Sequence, residues 1–455
     1  MWDVRAGPFA RVVMRVPGPD RSPFQSSSHS PVDPPTPDSA LPDASLGAFR
    51  LPDELSFVIA AGAGSRIRTT HGRELIDLVM SCGPLVLGHA HPRVVEAVER
   101  QLRDGTTFYY LNASAARLAQ RIVELVPCAD AVKFCASGSD ATFSALRLAR
   151  RATGRDMILK FDGGYLGSHD YGRAVEGPAC GGVPAAVAAD VLHAPFNDLA
   201  QATRVAEAHR ERLAAIIVEP VQRAIEPAPG FLAGLRAVCD RIGAVLVFDE
   251  VVTGFRLALG GAQELYGVIP DLCALGKALG GGLPIGAVAG RRELIELAAA
   301  RPIEAAGRSH EPDVYISGST LGNPLSCAAG LATLRVLEDE DGISRMAESG
   351  RALRERLLDV AAEFDVELQV IGPGAFIEPV FGPGPVVDQR SYEEQDRVAS
   401  RAFGLELIRA GVFAYPGFKM YLSTAHDQQD LDKVADRART AMRRVRDDGL
   451  LRRQP

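Results

Sequence analysis

The sequence lacks several features that would place it in other classes of protein. No apolar run approaches the roughly 18 residues of a membrane span, because charged residues, glycine or proline interrupt every one. The seven cysteines are scattered and none are spaced as CxxC, which excludes a regular disulfide framework and favours a reducing compartment. We therefore expect a soluble, cytoplasmic protein.

Basic surface and common metal or hydrolase motifs are also missing. The formal net charge is −7, and the one short basic run, residues 443–446, is typical of a solvated helix end, so no nucleic-acid partner is expected. His89 and His91 lie two residues apart without a carboxylate or cysteine to complete a metal site, and no HExxH occurs. The absence of a GxSxG elbow argues against a serine hydrolase.

Composition and periodicity divide the chain into four segments. Residues 1–44 are rich in proline, serine and aspartate, and we expect them to be disordered. Residues 45–80 form an N-terminal segment with a hairpin that turns at His71 and Gly72, where glycine allows a positive φ. Residues 81–330 form a large domain of alternating strand and helix patterns. Residues 331–455 form a smaller α+β domain.

The alternation within residues 81–330 predicts the fold class. Strand patterns cover residues 131–134, 157–161, 215–219, 244–248 and 272–276, and the helix patterns between them cover residues 139–153, 205–213 and 232–241. Strands joined by helices of this length form βαβ units. We therefore predict an α/β fold with a mostly parallel central sheet, helices on both faces, and a ligand crevice at the carboxyl ends of the strands.

Two neighbouring strand patterns end on residues with complementary chemistry. Asp249 ends one apolar run, and Lys277 ends the next, just before the triple glycine at 280–282. A lysine amine can form a Schiff base with the aldehyde of pyridoxal phosphate, and an acid can keep the pyridine nitrogen protonated. Asp249 alone would commonly be a helix cap, but together the two residues suggest a pyridoxal phosphate enzyme.

Further candidates follow neighbouring strand ends. Ser137, Gly138 and Ser139 lie between a strand and a helix, where backbone N–H groups, hydroxyls and the helix dipole suit a phosphate. The same residues also make a good helix N-cap. Tyr165 follows the next strand, and its ring could stack on a flat cofactor or pack in the core. On these residues alone, both interpretations stay open.

In combination, these residues occur in the chain order of one family. The sequence resembles the class III (ω-type) aminotransferases of pyridoxal-phosphate fold type I, in the branch that contains glutamate-1-semialdehyde 2,1-aminomutase, from about residue 45 to residue 436. The resemblance is carried by LGHAHPRVV at 87–95, SALRLAR at 144–150, IVEPV at 217–221, FDEVVTGFR at 248–256, GGAQ at 260–263, LGKALGGGLP at 275–284, GNPL at 322–325 and STAH at 423–426.

The resemblance implies pyridoxal 5'-phosphate as the cofactor and a role for each candidate. Lys277 would be the Schiff-base lysine and proton carrier, and Asp249 would be the partner of the pyridine nitrogen. The other implied cofactor contacts are Tyr165 and Val251 on the two faces of the ring, Glu219 near its hydroxyl group, and Ser137, Gly138 and Ser139 on the phosphate.

Two more implied contacts concern the partner subunit and the substrate. Ser319, or the adjacent Thr320, would reach the phosphate of the neighbouring subunit through a hydroxyl, so a homodimer with shared active sites is expected. Arg50 corresponds to an arginine that clamps a substrate carboxylate in this branch, a task that suits the guanidinium fork. A role as an ordinary surface residue fits Arg50 equally well.

The sequence departs from the aminomutase pattern in substrate-facing segments. Cys82 stands where tryptophan is expected, Leu166 stands where histidine is expected, and the segment after Val221 is shorter. Residues 418–421 replace an acidic, glycine-containing segment. We therefore predict a ping-pong aminotransferase that acts on separate small-molecule amine and carbonyl substrates. The alternatives are the intramolecular aminomutase, a pyridoxal-phosphate-binding protein without turnover, and a lyase or racemase of the same fold.

Overall fold

A computed structural model describes residues 46–47, 49–174, 181–303 and 311–451, so the predicted extension over residues 1–44 lies outside the described residues. The strands are β1 (Ile59–Ala63), β2 (Arg66–Thr69), β3 (Glu74–Asp77), β4 (Ala131–Cys135), β5 (Met157–Phe161), β6 (Val191–Ala194), β7 (Leu213–Val218), β8 (Val245–Asp249), β9 (Leu272–Leu275), β10 (Gly286–Gly290), β11 (Leu368–Ile371), β12 (Phe376–Phe381), β13 (Val412–Phe413) and β14 (Met420–Tyr421).

The helices connect these strands and cover the sheets. They are α1 (Pro92–Asp104), α2 (Ala113–Leu125), α3 (Gly138–Thr153), α4 (Asp170–Arg173), α5 (Ala185–Ala188), α6 (Leu199–Ala208), α7 (Phe231–Ile242), α8 (Ala262–Tyr266), α9 (Arg292–Ile295), α10 (Pro324–Asp339), α11 (Gly342–Glu363), α12 (Gln389–Glu393), α13 (Arg397–Ala410) and α14 (Gln428–Asp447). Within the described ranges, no helix combines the length and the apolar character that a membrane crossing requires.

The central sheet has seven strands in the order β4-β10-β9-β8-β7-β5-β6. Strand β10 runs antiparallel to both of its neighbours, β4 and β9, and the other pairs are parallel. The predicted α/β fold with a mostly parallel sheet is therefore confirmed. The carboxyl ends of β5, β7, β8 and β9 meet at one edge, which is where the sequence predicts the ligand crevice.

Successive residues of the central strands face opposite sides of the sheet. In β7, Ile216 and Val218 belong to one core together with Leu235 of α7. Ala215 and Ile217 belong to the other core, which includes the buried face of α3. Because both faces are covered by helices, the strands read as continuous apolar runs, and this is why the sequence could predict them.

One helix boundary was predicted wrongly. The helix pattern through residues 205–213 ends early, because α6 stops at Ala208 and β7 begins at Leu213. The intervening turn is closed by the N–H of Arg212, which donates to the carbonyl of His209 over 2.8 Å. Leu213 is apolar because it pairs with Met157 in the sheet, so its hydrophobicity belongs to the strand.

The N-terminal hairpin packs against the C-terminal region. Strands β2 and β3 pair antiparallel around Gly72, whose φ is +81°, so the predicted turn is confirmed. Strand β13 adds to β3 in parallel, and β11, β12 and β14 form a separate antiparallel sheet. Ile76 and Leu78 share a core with α11, α13 and α14. A smaller C-terminal α+β region is therefore confirmed, and the exact domain boundaries remain predictions.

Candidate active site

Lys277 lies at the edge of the central sheet, directly after β9. It begins the short 3-10 turn Lys277–Gly280 with a left-handed φ of +45°. Side chains other than glycine rarely adopt this conformation, and residues held in it cluster at functional sites. Burial lowers the pKa of the Lys277 amine, while Asp249 and Glu219 act against that shift. The amine is therefore more easily deprotonated than a surface lysine.

Asp249 ends β8, the strand that pairs with β9, and is opposite Ala274 in the parallel register. One carboxylate oxygen accepts a hydrogen bond from the N–H of Val251 over 3.0 Å. Burial raises the pKa of Asp249 to about 7, the negative charge of Glu219 adds to the rise, and Lys277 opposes it. The structure thus brings the predicted acid, which is buried, and the predicted amine, which is half-buried, close enough to interact.

Glu219 and Tyr165 meet at the same edge. Glu219 follows β7, and its Oε2 accepts a hydrogen bond from the backbone N–H of Tyr165 over 2.8 Å. Burial raises the pKa of Glu219, and the positive charge of Lys419 is the largest influence that lowers it. The Tyr165 side chain is 54% exposed, so its ring is not packed in the core and stays accessible to a flat ligand.

The predicted phosphate turn forms the start of α3. Ser137 caps this helix, and its Oγ accepts a hydrogen bond from the N–H of Asp140 over 3.2 Å. A Cβ atom at Gly138 would lie 2.6 Å from Cγ1 of Val251, so only glycine allows this approach. Ser139 Oγ accepts a hydrogen bond from the N–H of Ser168 over 3.1 Å. The N-cap interpretation is therefore correct, and it leaves the helix N-terminus at the strand edge.

The arrangement fits pyridoxal phosphate. A Cβ atom on Gly276 would lie 3.3 Å from Cα of Gly138, so the residue before Lys277 touches the N-terminus of α3. A helix N-terminus favours a phosphate, and the buried Asp249 carboxyl would regain its charge beside a protonated pyridine nitrogen. Lys277 supplies the amine that a Schiff base with the cofactor aldehyde requires.

Ser319 and Thr320 lie outside this group. They belong to an exposed turn that contacts the loop after α1, where the Thr107 hydroxyl donates to the carbonyl of Ser319 over 3.3 Å. In the same turn the Ser317 hydroxyl is hydrogen-bonded to Tyr109 at 2.9 Å. Their role at a neighbouring subunit's phosphate therefore stays a prediction.

Arg50 is exposed and forms an ion pair with Asp53 at 2.6 Å. Its neighbour Phe49 packs on Tyr415, with ring centroids 4.0 Å apart, and Tyr415 packs on Phe418 at 4.9 Å. The residue before Arg50 thus belongs to a row of packed rings that ends at Phe418, while the Arg50 guanidinium is paired with Asp53. Its role as a carboxylate clamp remains a prediction.

Sequence reasoning missed Lys419 as a site residue. Lys419 directly precedes β14 and is only 5% exposed. Burial lowers its pKa to about 8, against the influence of Glu219 and Glu378. The signal was available, because Lys419 stands among apolar and aromatic residues as Lys277 does, but residues 418–421 were interpreted only as a departure from the aminomutase pattern.

Arg256 holds together three backbone segments close to Lys277. Its buried guanidinium donates to the carbonyls of Ala375 at 3.2 Å, Leu422 at 3.1 Å and Gly83. We predict that Arg256→Met lowers the free energy of unfolding by about 2–4 kcal/mol, because buried carbonyls lose their donors. Urea denaturation measures the change. The exposed Arg335→Met variant is the control and should differ little from the parent; equal stability of the two variants would contradict the assignment.

Helix α10 packs directly on the turn that carries Lys277. A Cβ atom at Gly330 would overlap the carbonyl oxygen of Leu279. We predict that Gly330→Ala destabilises the protein by about 1–3 kcal/mol through overpacking and weakens cofactor binding by moving the turn. Thermal denaturation and cofactor titration measure both effects. Gly181→Ala, where a Cβ has open space, should change neither. A Gly330→Ala protein that matches the parent in both would contradict the prediction.

The sheet, the lysine and acid at adjacent strand ends, and the helix N-terminus beside them define a class of enzyme. The family model described as aminotransferase class-III matches residues 50–401, and the chain belongs to this family of pyridoxal-phosphate-dependent aminotransferases and aminomutases. The fold and the resemblance predicted from the sequence are therefore confirmed.

Individual relatives include both activities of the family. The chain is 40% identical to glutamate-1-semialdehyde 2,1-aminomutase from Methanothermobacter thermautotrophicus. The aligned 411 residues cover 88% of this chain and 95% of that protein. An omega-transaminase from Sphaerobacter thermophilus superposes with a TM-score of 0.80 at 33% identity, covering 86% and 91% of the two chains. A transaminase solved with PLP bound has a TM-score of 0.78 at 28% identity, covering 86% and 92%.

Proposed function

We propose that this enzyme transfers an amino group between separate donor and acceptor molecules by a ping-pong mechanism, with pyridoxal 5'-phosphate linked to Lys277. The observation that carries the proposal is the pair of the half-buried Lys277 and the buried Asp249 at adjacent strand ends, beside the N-terminus of α3. The donor gives its amino group and leaves as a carbonyl compound before the acceptor enters. One amine therefore serves both halves of the reaction.

The cofactor, when bound, supplies an aldehyde that carries the amino group and a ring that withdraws electrons from the substrate carbon. Its phosphate would be held by the N-terminus of α3, with Ser137, Gly138 and Ser139. Asp249 holds a proton at the pyridine nitrogen. The donor's amine would first take the place of Lys277 on the cofactor, and the freed Lys277 Nζ would then take the proton from the donor carbon and, in the second half, return one to the acceptor carbon. The lowered pKa of Lys277 favours this role as a base.

The other contacts orient the ring. Tyr165 and Val251 would enclose its two faces, and Glu219 would lie close to its hydroxyl group. The support for these roles is the exposed ring of Tyr165, the packing of Val251 on Gly138, and the hydrogen bond that ties Glu219 to Tyr165.

We propose a homodimer in which Ser319 or Thr320 of one subunit completes the phosphate site of the other. In support, this turn lies beside an exposed apolar and aromatic stretch consisting of Phe108, Tyr109, Tyr110 and Leu111. Mixing a Lys277→Ala subunit with a Ser319→Ala/Thr320→Ala subunit should restore activity, because one site of the mixed dimer is intact. Mixtures that stay inactive would argue against shared sites.

A substrate screen tests the proposed activity. The purified enzyme is loaded with cofactor, and amine donors are added one at a time while the visible absorbance is followed. Conversion to the pyridoxamine form, followed by its reversal with a keto or aldehyde acceptor, is the expected result. A coloured protein that converts with no donor would instead be a binding protein.

The aminomutase is the second candidate, and the 40% identity to the Methanothermobacter enzyme favours it. The departures at Cys82, Leu166 and residues 418–421 favour separate substrates. Incubation with glutamate-1-semialdehyde alone separates the two. Efficient formation of 5-aminolevulinate without donor or acceptor would establish the aminomutase and overturn the proposed transaminase.

A cytoplasmic location is proposed as well. Its support is that the cysteines within the described ranges are free, as in a reducing compartment.

A further inference from the structure

Arg223 occupies a fixed position beside the crevice. It follows Glu219 by four residues, in the segment between β7 and α7 that is shorter than the aminomutase pattern. Its φ is +57°, and the turn around it is closed by hydrogen bonds of 3.0 and 2.8 Å between Gln222 and Ile225. The Gln222 side chain donates to the carbonyl of Asp162 over 2.5 Å. The backbone therefore holds Arg223 in one place.

The guanidinium of Arg223 lies between aromatic rings. Its central carbon is 5.3 Å from the ring centroid of Tyr392 and 6.0 Å from that of Phe418. Its Nε is buried without a hydrogen-bond partner. Among the residues that the structure describes, no carboxylate forms an ion pair with Arg223. The rings position the cation, and its donors are left for a ligand.

Other arginines with a buried, unpaired Nε differ in this respect. Arg236 forms an ion pair with Asp271, Arg256 donates to backbone carbonyls, and Arg354 donates to the carbonyl of Gly372. Each of them has a structural role that uses its terminal nitrogens. Within the described part of the chain, the terminal nitrogens of Arg223 form no such hydrogen bond or ion pair.

Each acid near Arg223 already accepts a hydrogen bond through one oxygen, and the other oxygen of Glu378, Oε2, is buried without a hydrogen-bond partner. Glu378 accepts a hydrogen bond from the Tyr392 hydroxyl and lies 3.7 Å from Arg397. Glu219 accepts from the N–H of Tyr165. Lys419 adds a further cation, with Nζ 5.2 Å from the ring centroid of Phe418.

The charged side chains around Arg223 include more cations than acids. Arg223 and Lys419 lie near both Glu219 and Glu378, and Arg397 lies near Glu378. Lys277 and Asp249, beside Glu219, add one charge of each sign. This side of the crevice therefore carries an excess of positive charge, which favours an anionic ligand.

We propose that Arg223 determines specificity by binding a carboxylate of the amino substrate against the rings of Tyr392 and Phe418, so that the enzyme prefers amino acids to simple amines. The proposal rests on the proposed aminotransferase function. A planar guanidinium with free donors matches a carboxylate through two parallel hydrogen bonds. Arg50 is the competing candidate for this task, and it is already paired with Asp53.

Matched substrates test the proposal on the cofactor-loaded enzyme. The donors are β-alanine, 4-aminobutyrate and 5-aminovalerate, each compared with the alkylamine that lacks the carboxylate, and the half-reaction is followed by absorbance. Arg223→Gln should raise the half-saturating concentration of the preferred amino acid by about 10- to 100-fold, with little change for the alkylamine. Arg50→Gln should leave the preference intact. Loss of preference in Arg50→Gln alone would overturn the proposal.

A binding measurement separates this proposal from the proposed function. Valerate has no amine and cannot react, and calorimetry should show that it binds the parent and not Arg223→Gln. Equal binding of valerate by both proteins would overturn the proposal for Arg223 even if amino transfer is active. If valerate binds only the parent but no donor gives a half-reaction, the proposed aminotransferase function would be contradicted and the role of Arg223 would stand. If Arg223→Gln does not fold, Arg223→Met takes its place, and an unchanged preference for amino acids in that variant would overturn the proposal.

Discussion

Replacing Lys277 with alanine is expected to lower kcat for amino transfer by about 10²- to 10⁴-fold, the contribution typical of a positioned general acid–base group. The variant should also lose the absorbance of the lysine-linked cofactor. Its fold should survive, because burial already disfavours the charged amine in the parent. Steady-state kinetics and absorbance spectra measure the two losses.

Two lysine variants serve as controls for this result. Lys433 is exposed on α14, and Lys433→Ala should match the parent in activity and absorbance. Lys419→Met removes the second buried amine near the site, and it should keep the lysine-linked absorbance. If Lys277→Ala stayed active while Lys419→Met lost the linked cofactor, the assignment of the catalytic amine would be wrong.

Asp249→Asn is expected to lower kcat by about 10²- to 10³-fold, a loss comparable to removing a preorganised electrostatic contact at the reacting group. Asparagine can still accept the hydrogen bond from the N–H of Val251, so the local backbone should hold. The lost function is the negative charge beside the pyridine nitrogen. Activity with saturating cofactor measures this directly, and activity close to that of the parent would contradict the assigned role.

The same substitution should stabilise the cofactor-free protein at high pH. The pKa of Asp249 is raised from 3.8 to about 7, so between these values the folded state holds a proton that the unfolded state has released. Stability therefore falls as pH rises through this window. Above pH 7, Asp249→Asn should exceed the cofactor-free parent by on the order of 1–3 kcal/mol. Urea denaturation of both proteins across the window would show a constant difference if this reasoning were wrong.

The central sheet and the two candidate catalytic residues at its edge could be predicted from the sequence for one physical reason. A parallel sheet covered on both faces requires continuous apolar strands, and a charged residue directly after such a strand is placed at the ligand edge. Asp249 and Lys277 meet this condition on neighbouring strands. The order of the strands in space was not predictable in the same way, and in particular the antiparallel β10 between β4 and β9 was missed.

The substrate side of the site could not be predicted from local patterns. Arg223 contacts Tyr392 and Phe418, which lie far away in the chain, and only the packing of the C-terminal region brings them together. The ion pair between Arg50 and Asp53 depends on side-chain geometry that no motif specifies. The proposed roles of Ser319 and Thr320 involve a second subunit, whose position no local sequence pattern encodes.

Borohydride reduction of the cofactor-loaded enzyme tests the central claim most directly. The chain contains only five lysines, at positions 133, 160, 277, 419 and 433, so peptide mass spectrometry assigns the labelled residue without ambiguity. The account predicts that the visible band disappears on reduction and that the cofactor mass is attached to the peptide containing Lys277. Label on Lys419, or a protein that takes up no label, would contradict it.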